Sequence, residues 1–138
     1  EFMKKNLTYS DIFKRTGGVH SVELCDTQNI IIINEDVARH NAVDKVIGQY
    51  FLEDINLKDK IIVLSGRVSF EMILKSAKMQ IPIIISKSAP TNLSAELAKS
   101  IRKTDIFARL GGDEFGILMQ HCDIQHATKI AKQNKKTV

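Results

Sequence analysis

The chain has 138 residues, 43% of them hydrophobic, and a formal net charge of +4, enough for one domain whose core needs no covalent staple. Its two cysteines, Cys25 and Cys122, form no CxxC pair, which argues against a disulfide framework and a zinc site. No apolar run approaches the ~20 residues of a membrane helix and no charged-then-apolar leader opens the sequence, so a cytoplasmic protein is expected. The excess positive charge gathers largely in Lys132 to Lys136 and suits a solvated helix end better than a nucleic-acid surface.

Glu1 and Phe2 precede Met3 and read as a cloning remnant ahead of a coding start. Leu7 to Phe13 predicts a short helix capped by Thr8 or Ser10 and broken at Thr16-Gly17-Gly18. Val19 to Leu24 alternates apolar and polar residues as a half-buried strand would, and the turn Cys25 to Asn29 leads into the isoleucine run Ile30 to Ile33, predicting an antiparallel hairpin. From Asn41 the period becomes helical, with Val43, Val46, Ile47, Tyr50 and Phe51 on one stripe. Lys60 to Leu64 and Pro82 to Ile85 read as buried strands, Phe70 to Met79 and Leu93 to Ile101 as helices. Strands alternating with helices imply right-handed crossovers and a sheet covered on both faces. Asp105 to Leu110 and Glu114 to Met119 then predict a hairpin turning at Gly111-Gly112-Asp113, before a last helix over Ile124 to Lys135. No repeat, linker or second-domain boundary interrupts residues 1–138.

Charge clusters where the isoleucine run ends: Asp36, Arg39, His40, Asp44 and Lys45 fall within ten residues. Such a cluster is either a site or an expensive surface. His40 and Asp44 lie one helical turn apart, so the carboxylate is expected to orient the imidazole. Two strand-to-helix turns add to this. Ser65-Gly66-Arg67-Val68-Ser69 and Ser86-Lys87-Ser88-Ala89-Pro90-Thr91-Asn92 gather hydroxyls and cations at helix starts, where free backbone N–H groups favour an anion. Parallel strands would put both turns at one sheet edge, the place where open α/β folds bind ligands. Taken singly, Ser69 and Asn92 read as caps and Arg67 as a surface charge; together with the Asp36 to Lys45 cluster they favour a phosphate-bearing ligand. His20, beside the glycines, is either part of that site or a satisfied core histidine, while His121 and His126 read as surface. A zinc deaminase is excluded, since Glu23 stands at the wrong spacing from His20 and no Pro-Cys-x-x-Cys follows.

Four blocks carry a resemblance: Thr16-Gly-Gly-Val-His20-Ser, Glu35-Asp-Val-Ala-Arg39-His-Asn-Ala-Val-Asp44-Lys-Val-Ile-Gly48, Ser65-Gly-Arg-Val-Ser-Phe-Glu71-Met and Ser88-Ala-Pro-Thr91. From Thr16 to about Leu97 the chain resembles the C-terminal part of the formate dehydrogenase accessory sulfurtransferase family (FdhD). The resemblance implies a three-layer α/β/α fold with a mixed sheet, like that of cytidine deaminases, and sulfur delivery to a molybdenum bis-guanine-dinucleotide cofactor, with GDP as a related ligand. It also implies formate dehydrogenase and a cysteine desulfurase as partners. The family's sulfur-carrying cysteine lies in a CxxC loop upstream of the matching region, so sulfur transfer is expected to be absent from this chain.

A second resemblance starts near Ser100. Arg102-Lys-Thr-Asp105-Ile-Phe-Ala-Arg109-Leu-Gly111-Gly-Asp-Glu-Phe115 looks like the signature hairpin of GGDEF domains, the diguanylate cyclases, with Arg102 and Asp105 where an inhibitory RxxD motif would contact cyclic di-GMP. It covers about a quarter of the chain, too little for a cyclase. The first family would itself end in a Gly-Phe-x-Arg-x-Gly-like cofactor-binding hairpin, onto which Phe107, Arg109, Gly111 and Gly112 fall. The chain therefore reads as a hybrid, residues 3–99 from one family and 100–138 from the other, joined within Leu93 to Ile101, its C-terminal hairpin and helix closing the sheet. Three functions are expected of it: a cofactor-binding remnant using His20, Asp36, Arg39, His40, Arg67, Ser69, Ser88, Phe107, Arg109, Gly111 and Gly112, a folded hybrid with no activity, or, from the second resemblance, a cyclic di-GMP- or GTP-binding fragment acting through Gly111 to Phe115. Exposed strand edges would allow a homodimer.

Overall fold

The computed structural model describes residues 10–88 and 106–119. Helix α1 spans Asp11–Thr16; the Phe13 N–H donates to Ser10 Oγ at 2.7 Å, so the expected cap forms. Gly17 ends the helix at φ 61°, a left-handed position suited to glycine, and its N–H reaches the Phe13 carbonyl at 2.7 Å.

Strands β1 (His20–Cys25) and β2 (Ile30–Asp36) form the expected hairpin. Its turn is held by Asp26, whose Oδ1 accepts from the Gln28 and Asn29 N–H groups at 2.7 and 2.6 Å. These two bonds hold the Asp26 carboxyl below its ordinary value. β2 runs three residues past the isoleucine run, because Asp36 and Glu35 still pair with His20 and Ser21. β1 departs further from expectation. It lies between β2 and β3 (Ile61–Leu64), and Ser21, Glu23 and Cys25 are as buried as Val22 and Leu24. Alternation of polar and apolar residues suggested one wet face; a central strand in a sheet covered on both sides has none.

Helix α2 (Arg39–Glu53) buries Ala42, Val43 and Val46 against the β1–β2 hairpin, with Ile47 and Tyr50 packed alongside. Phe51, expected on this stripe, is 65% exposed; one further residue rotates the helix by about 100°, off the apolar face. Helix α3 (Phe70–Lys78) is capped by Ser69, whose Oγ accepts from the Met72 N–H at 3.4 Å. It buries Met72, Ile73 and Ala77 in the same core that holds Val22, Leu24, Ile62, Leu64 and Ile84.

Strand β4 (Ile83–Ser86) runs parallel to β3, and this β3–α3–β4 unit contains the sheet's one parallel pairing. Strands β5 (Ile106–Gly111) and β6 (Glu114–Leu118) form the expected Gly-turn hairpin. Through β6 it pairs antiparallel with β4, Ile83 opposite Leu118 and Ser86 opposite Phe115. Phe107 stacks on Phe115 with centroids 5.8 Å apart, and Ile117 and Met119 join the core. The hairpin thus completes the main body's interior.

The result is an α/β fold with an open, mixed six-stranded sheet in the order β2-β1-β3-β4-β6-β5. The helices expected over 93–101 and 124–135 lie outside the described residues. So does any contact of Arg102 or Asp105.

Candidate functional site

Register brings the candidate residues to one end of the sheet. Asp36 pairs with His20, Val22 with Leu64, Leu64 with Ser86 and Ser86 with Phe115. The start of β1, the ends of β2, β3 and β4, the first turns of α2 and α3 and the Gly111-Gly112 turn therefore share an edge. A cleft of about 770 Å³ opens there. Phe13 and the Gly17-Gly18 break wall one side; His20, Arg39, Ser65, Gly66, Arg67, Lys87, Ser88 and Asp113 line the rest. Among the described residues, three positive charges thus face one carboxylate.

The position of Arg39 bears on its use. It opens α2, whose first turn carries no acidic residue. A cation at the positive end of a helix dipole costs about 0.3–1 kcal/mol, so Arg39 does not stand there for the helix's benefit. Arg67 extends from the turn between β3 and α3 and Lys87 from the residues just after β4, and among the described residues none of the three cations makes an ion pair. An anion in the cleft would meet these cations and the N–H groups at the starts of α2 and α3.

Hydrogen bonds made by Ser65 and Ser86, which were expected in the turns but not among the binding residues, shape the turns. Ser65 Oγ accepts from the Ser21 N–H at 2.9 Å, and the Ser65 N–H donates to the Ser21 carbonyl at 3.0 Å. The hydroxyl of Ser86 lies 2.9 Å from the Gly66 carbonyl and 2.8 Å from that of Ser88, and accepts from the Ser88 N–H at 3.1 Å. Gly66 is glycine for a steric reason: a Cβ there would stand 2.8 Å from Nδ1 of His20. His20 thus packs over the turn and still lines the cleft. Its spacing from Gly66, 46 residues on, could not have been read in advance.

Of the residues expected to bind a cofactor, His20, Arg39, Arg67 and Ser88 line this cleft. Gly111 and Gly112 line an adjoining one of about 380 Å³, which shares Lys87 and Asp113 with it. The others are placed elsewhere. Asp36 accepts from the Ala38 N–H at 2.9 Å and pairs with Lys45 at 2.7 Å, stitching the start of α2 in place of a side chain at the Ala38 cap. Those partners, Lys45 foremost, hold its carboxyl below the ordinary value. His40 does not pair with Asp44. Its Nδ1 lies 3.0 Å from Glu71, while Asp44 takes Lys75 at 2.5 Å. Spacing of four residues put His40 and Asp44 on one face of α2, but α3 lies beside that face and offers Glu71 and Lys75 at the matching spacing. Ser69 caps α3, Phe107 packs in the core, and Arg109 Nε donates to the Gly112 carbonyl at 2.7 Å, bracing the hairpin turn.

Cys25 ends β1 in the interior, fully buried. Desolvation, with Glu23 and Asp26 adding to it, pushes its thiol up to about 12. A thiol so raised has almost no thiolate near neutrality and is a poor nucleophile. Among the described residues no three His, Cys, Asp or Glu side chains converge to hold a metal ion, and no helix is long and apolar enough to cross a membrane.

Comparison with known proteins adds to this geometry. The model of the FdhD/NarQ family matches residues 1–123. The chain belongs to that family. It is 46% identical over 120 residues to the sulfur carrier protein FdhD of Bacillus pumilus, covering 86% of this chain and 45% of that protein. Against the sulfur carrier protein FdhD of Bacillus subtilis it is 46% identical over 110 residues, 79% of this chain and 42% of the relative. A crystal structure assigned to a formate dehydrogenase accessory protein from Desulfotalea psychrophila superposes with a TM-score of 0.71 at 31% identity, over 87% of this chain and 53% of that one. The chain spans less than half the length of these curated relatives. The family match passes through the expected junction at 93–101 and includes the whole β5–β6 hairpin, so it lends no support to a second ancestry for the C-terminal segment.

Proposed function

We propose that this chain forms the nucleotide-binding part of a sulfur carrier that serves formate dehydrogenase, and that its cleft receives the phosphates of a guanine-nucleotide-bearing molybdenum cofactor, for which GDP is a simpler stand-in. The convergence of Arg39, Arg67 and Lys87, from three separate segments, on the edge cleft carries this reading. Family membership and the names of the relatives agree with it.

The residues suit the ligand chemistry. Each guanidinium of Arg39 and Arg67 offers a planar fork that matches two phosphate oxygens, and Lys87 supplies a mobile point charge. The Ser88 hydroxyl and the imidazole of His20 add donors at the rim. The adjoining cleft beside Gly111 and Gly112 leaves room for the ligand to continue past Lys87. Cys25 is not the residue that carries sulfur in this reading, since its thiol is buried and its pKa is raised. The partners that follow are formate dehydrogenase as recipient and a cysteine desulfurase as sulfur source.

Calorimetric titration with GDP tests the reading. Saturable binding should appear, weaken as salt is added and bring a rise in melting temperature. No heat and no thermal shift at millimolar GDP would remove the cleft from consideration.

A further inference from the structure

We infer that the Ser86 hydroxyl, in no direct contact with ligand, is the positioning group of the cleft: it clamps the Ser65–Ser69 turn to the Ser86–Ser88 turn and aims the Arg67 backbone N–H outward as an anion donor. The inference rests on the reading of the cleft just given and names a residue that reading does not use.

Strands β3 and β4 stay in register as far as Leu64 and Ser86, and the Lys87 N–H still reaches the Leu64 carbonyl at 3.1 Å. Beyond that point the two backbones diverge into separate turns. Ser86, 1% exposed, carries the connection further through its side chain, 2.9 Å from the Gly66 carbonyl and 2.8 Å from that of Ser88. The hydroxyl has one proton, shared between these two carbonyls, and its lone pair takes the Ser88 N–H at 3.1 Å. One buried atom thus holds both lips of the cleft.

Peptide geometry supplies the consequence. The Gly66–Arg67 bond is trans, as no cis peptide occurs among the described residues, and in a trans peptide the carbonyl and the following N–H point in opposite directions. A Gly66 carbonyl drawn inward to buried Ser86 turns the Arg67 N–H out of the interior, on the residue whose exposed side chain lines the cleft. The same bond holds Gly66 beneath His20, where only glycine fits. Without the hydroxyl, the Gly66 carbonyl must find another donor, and the peptide rotates with it.

The test compares GDP affinity with melting temperature in Ser86→Ala and in Ile73→Val, a core control whose buried side chain lines neither cleft. Wild-type chain should bind GDP saturably, Ser86→Ala should bind about tenfold more weakly, and Ile73→Val should lose melting temperature with affinity within about twofold. Ser86→Cys, which keeps the volume but is a much weaker donor, should shift affinity in the same direction and serves in place of the alanine variant if that does not fold. Affinity in the Ser86 variants within twofold of wild type overturns the inference, as does an equal loss in Ile73→Val. Wild-type chain that fails to bind GDP overturns instead the reading of the cleft on which it rests.

Discussion

Two sets of charges lie interleaved along the start of α2 and end up in opposite conditions. Along the flank of α2, Asp36 takes Lys45 and Asp44 takes Lys75, so these charges have partners, and His40 lies against Glu71. In the cleft, Arg39, Arg67 and Lys87 share the space with the lone carboxylate of Asp113 and make no ion pair among the described residues. Arg39 and His40 are neighbours in sequence and belong to different sets. Paired charges join helices and are worth little individually at a surface. Cations left unneutralised at a helix N-terminus cost stability and become favourable when an anion arrives.

The widest separation between the sets should come from Arg39→Ala combined with Arg67→Ala. Hydrogen bonds to charged groups are worth about 1.5–3 kcal/mol each, so GDP affinity should fall by at least about a hundredfold, measured by calorimetry. Melting temperature should hold or rise slightly, because a cation leaves the positive end of α2. A variant that keeps its affinity, or that melts several degrees lower, would break the contrast.

Asp36→Asn probes the flank instead. The carboxyl of Asp36 is lowered, first by Lys45 and then by the Ala38 N–H. Its contribution to stability is therefore present above the ordinary carboxylate value near 4 and is lost as pH falls through the lowered folded value. Wild type should melt above Asp36→Asn at neutral pH, and the two curves should converge below about pH 4. Parallel curves down to strong acid would mean that Asp36 has no such role.

The smallest effect belongs to Asp113→Asn. This carboxylate faces the three cations across open water, where one charge contributes up to about 1 kcal/mol. Its removal should tighten GDP binding about two- to threefold without moving the melting temperature. Weaker binding would show that Asp113 holds the ligand rather than opposing it.

Much of the local structure was readable from residue order. Ile30 to Ile33 and Ile61 to Val63 are β-branched runs, Ser10 and Ser69 are caps, and Gly111-Gly112 can make little but a turn. The edge site was half readable. Arg67 and Ser88 stand just past strand ends that residue order shows, whereas Ser65 and Ser86 act through partners 44 and 20 residues away. The GGDEF-like reading of the hairpin shows the opposite hazard. A glycine turn between two alternating strands is a general solution to hairpin geometry, so a short segment can resemble one family while the chain around it matches another.

Spacing along the chain settled which segments would be strands and helices, and that cations would gather where strands end, because those depend on contacts within a few residues. Whether a given charge was neutralised, and whether β1 had one covered face or two, depended on what packed beside it. Arg39 and His40 were both candidates for the site until α3 arrived with Glu71 for one and left the other lining the cleft. Partner choice between distant segments is a three-dimensional property, and only the packed sheet and helices contain it.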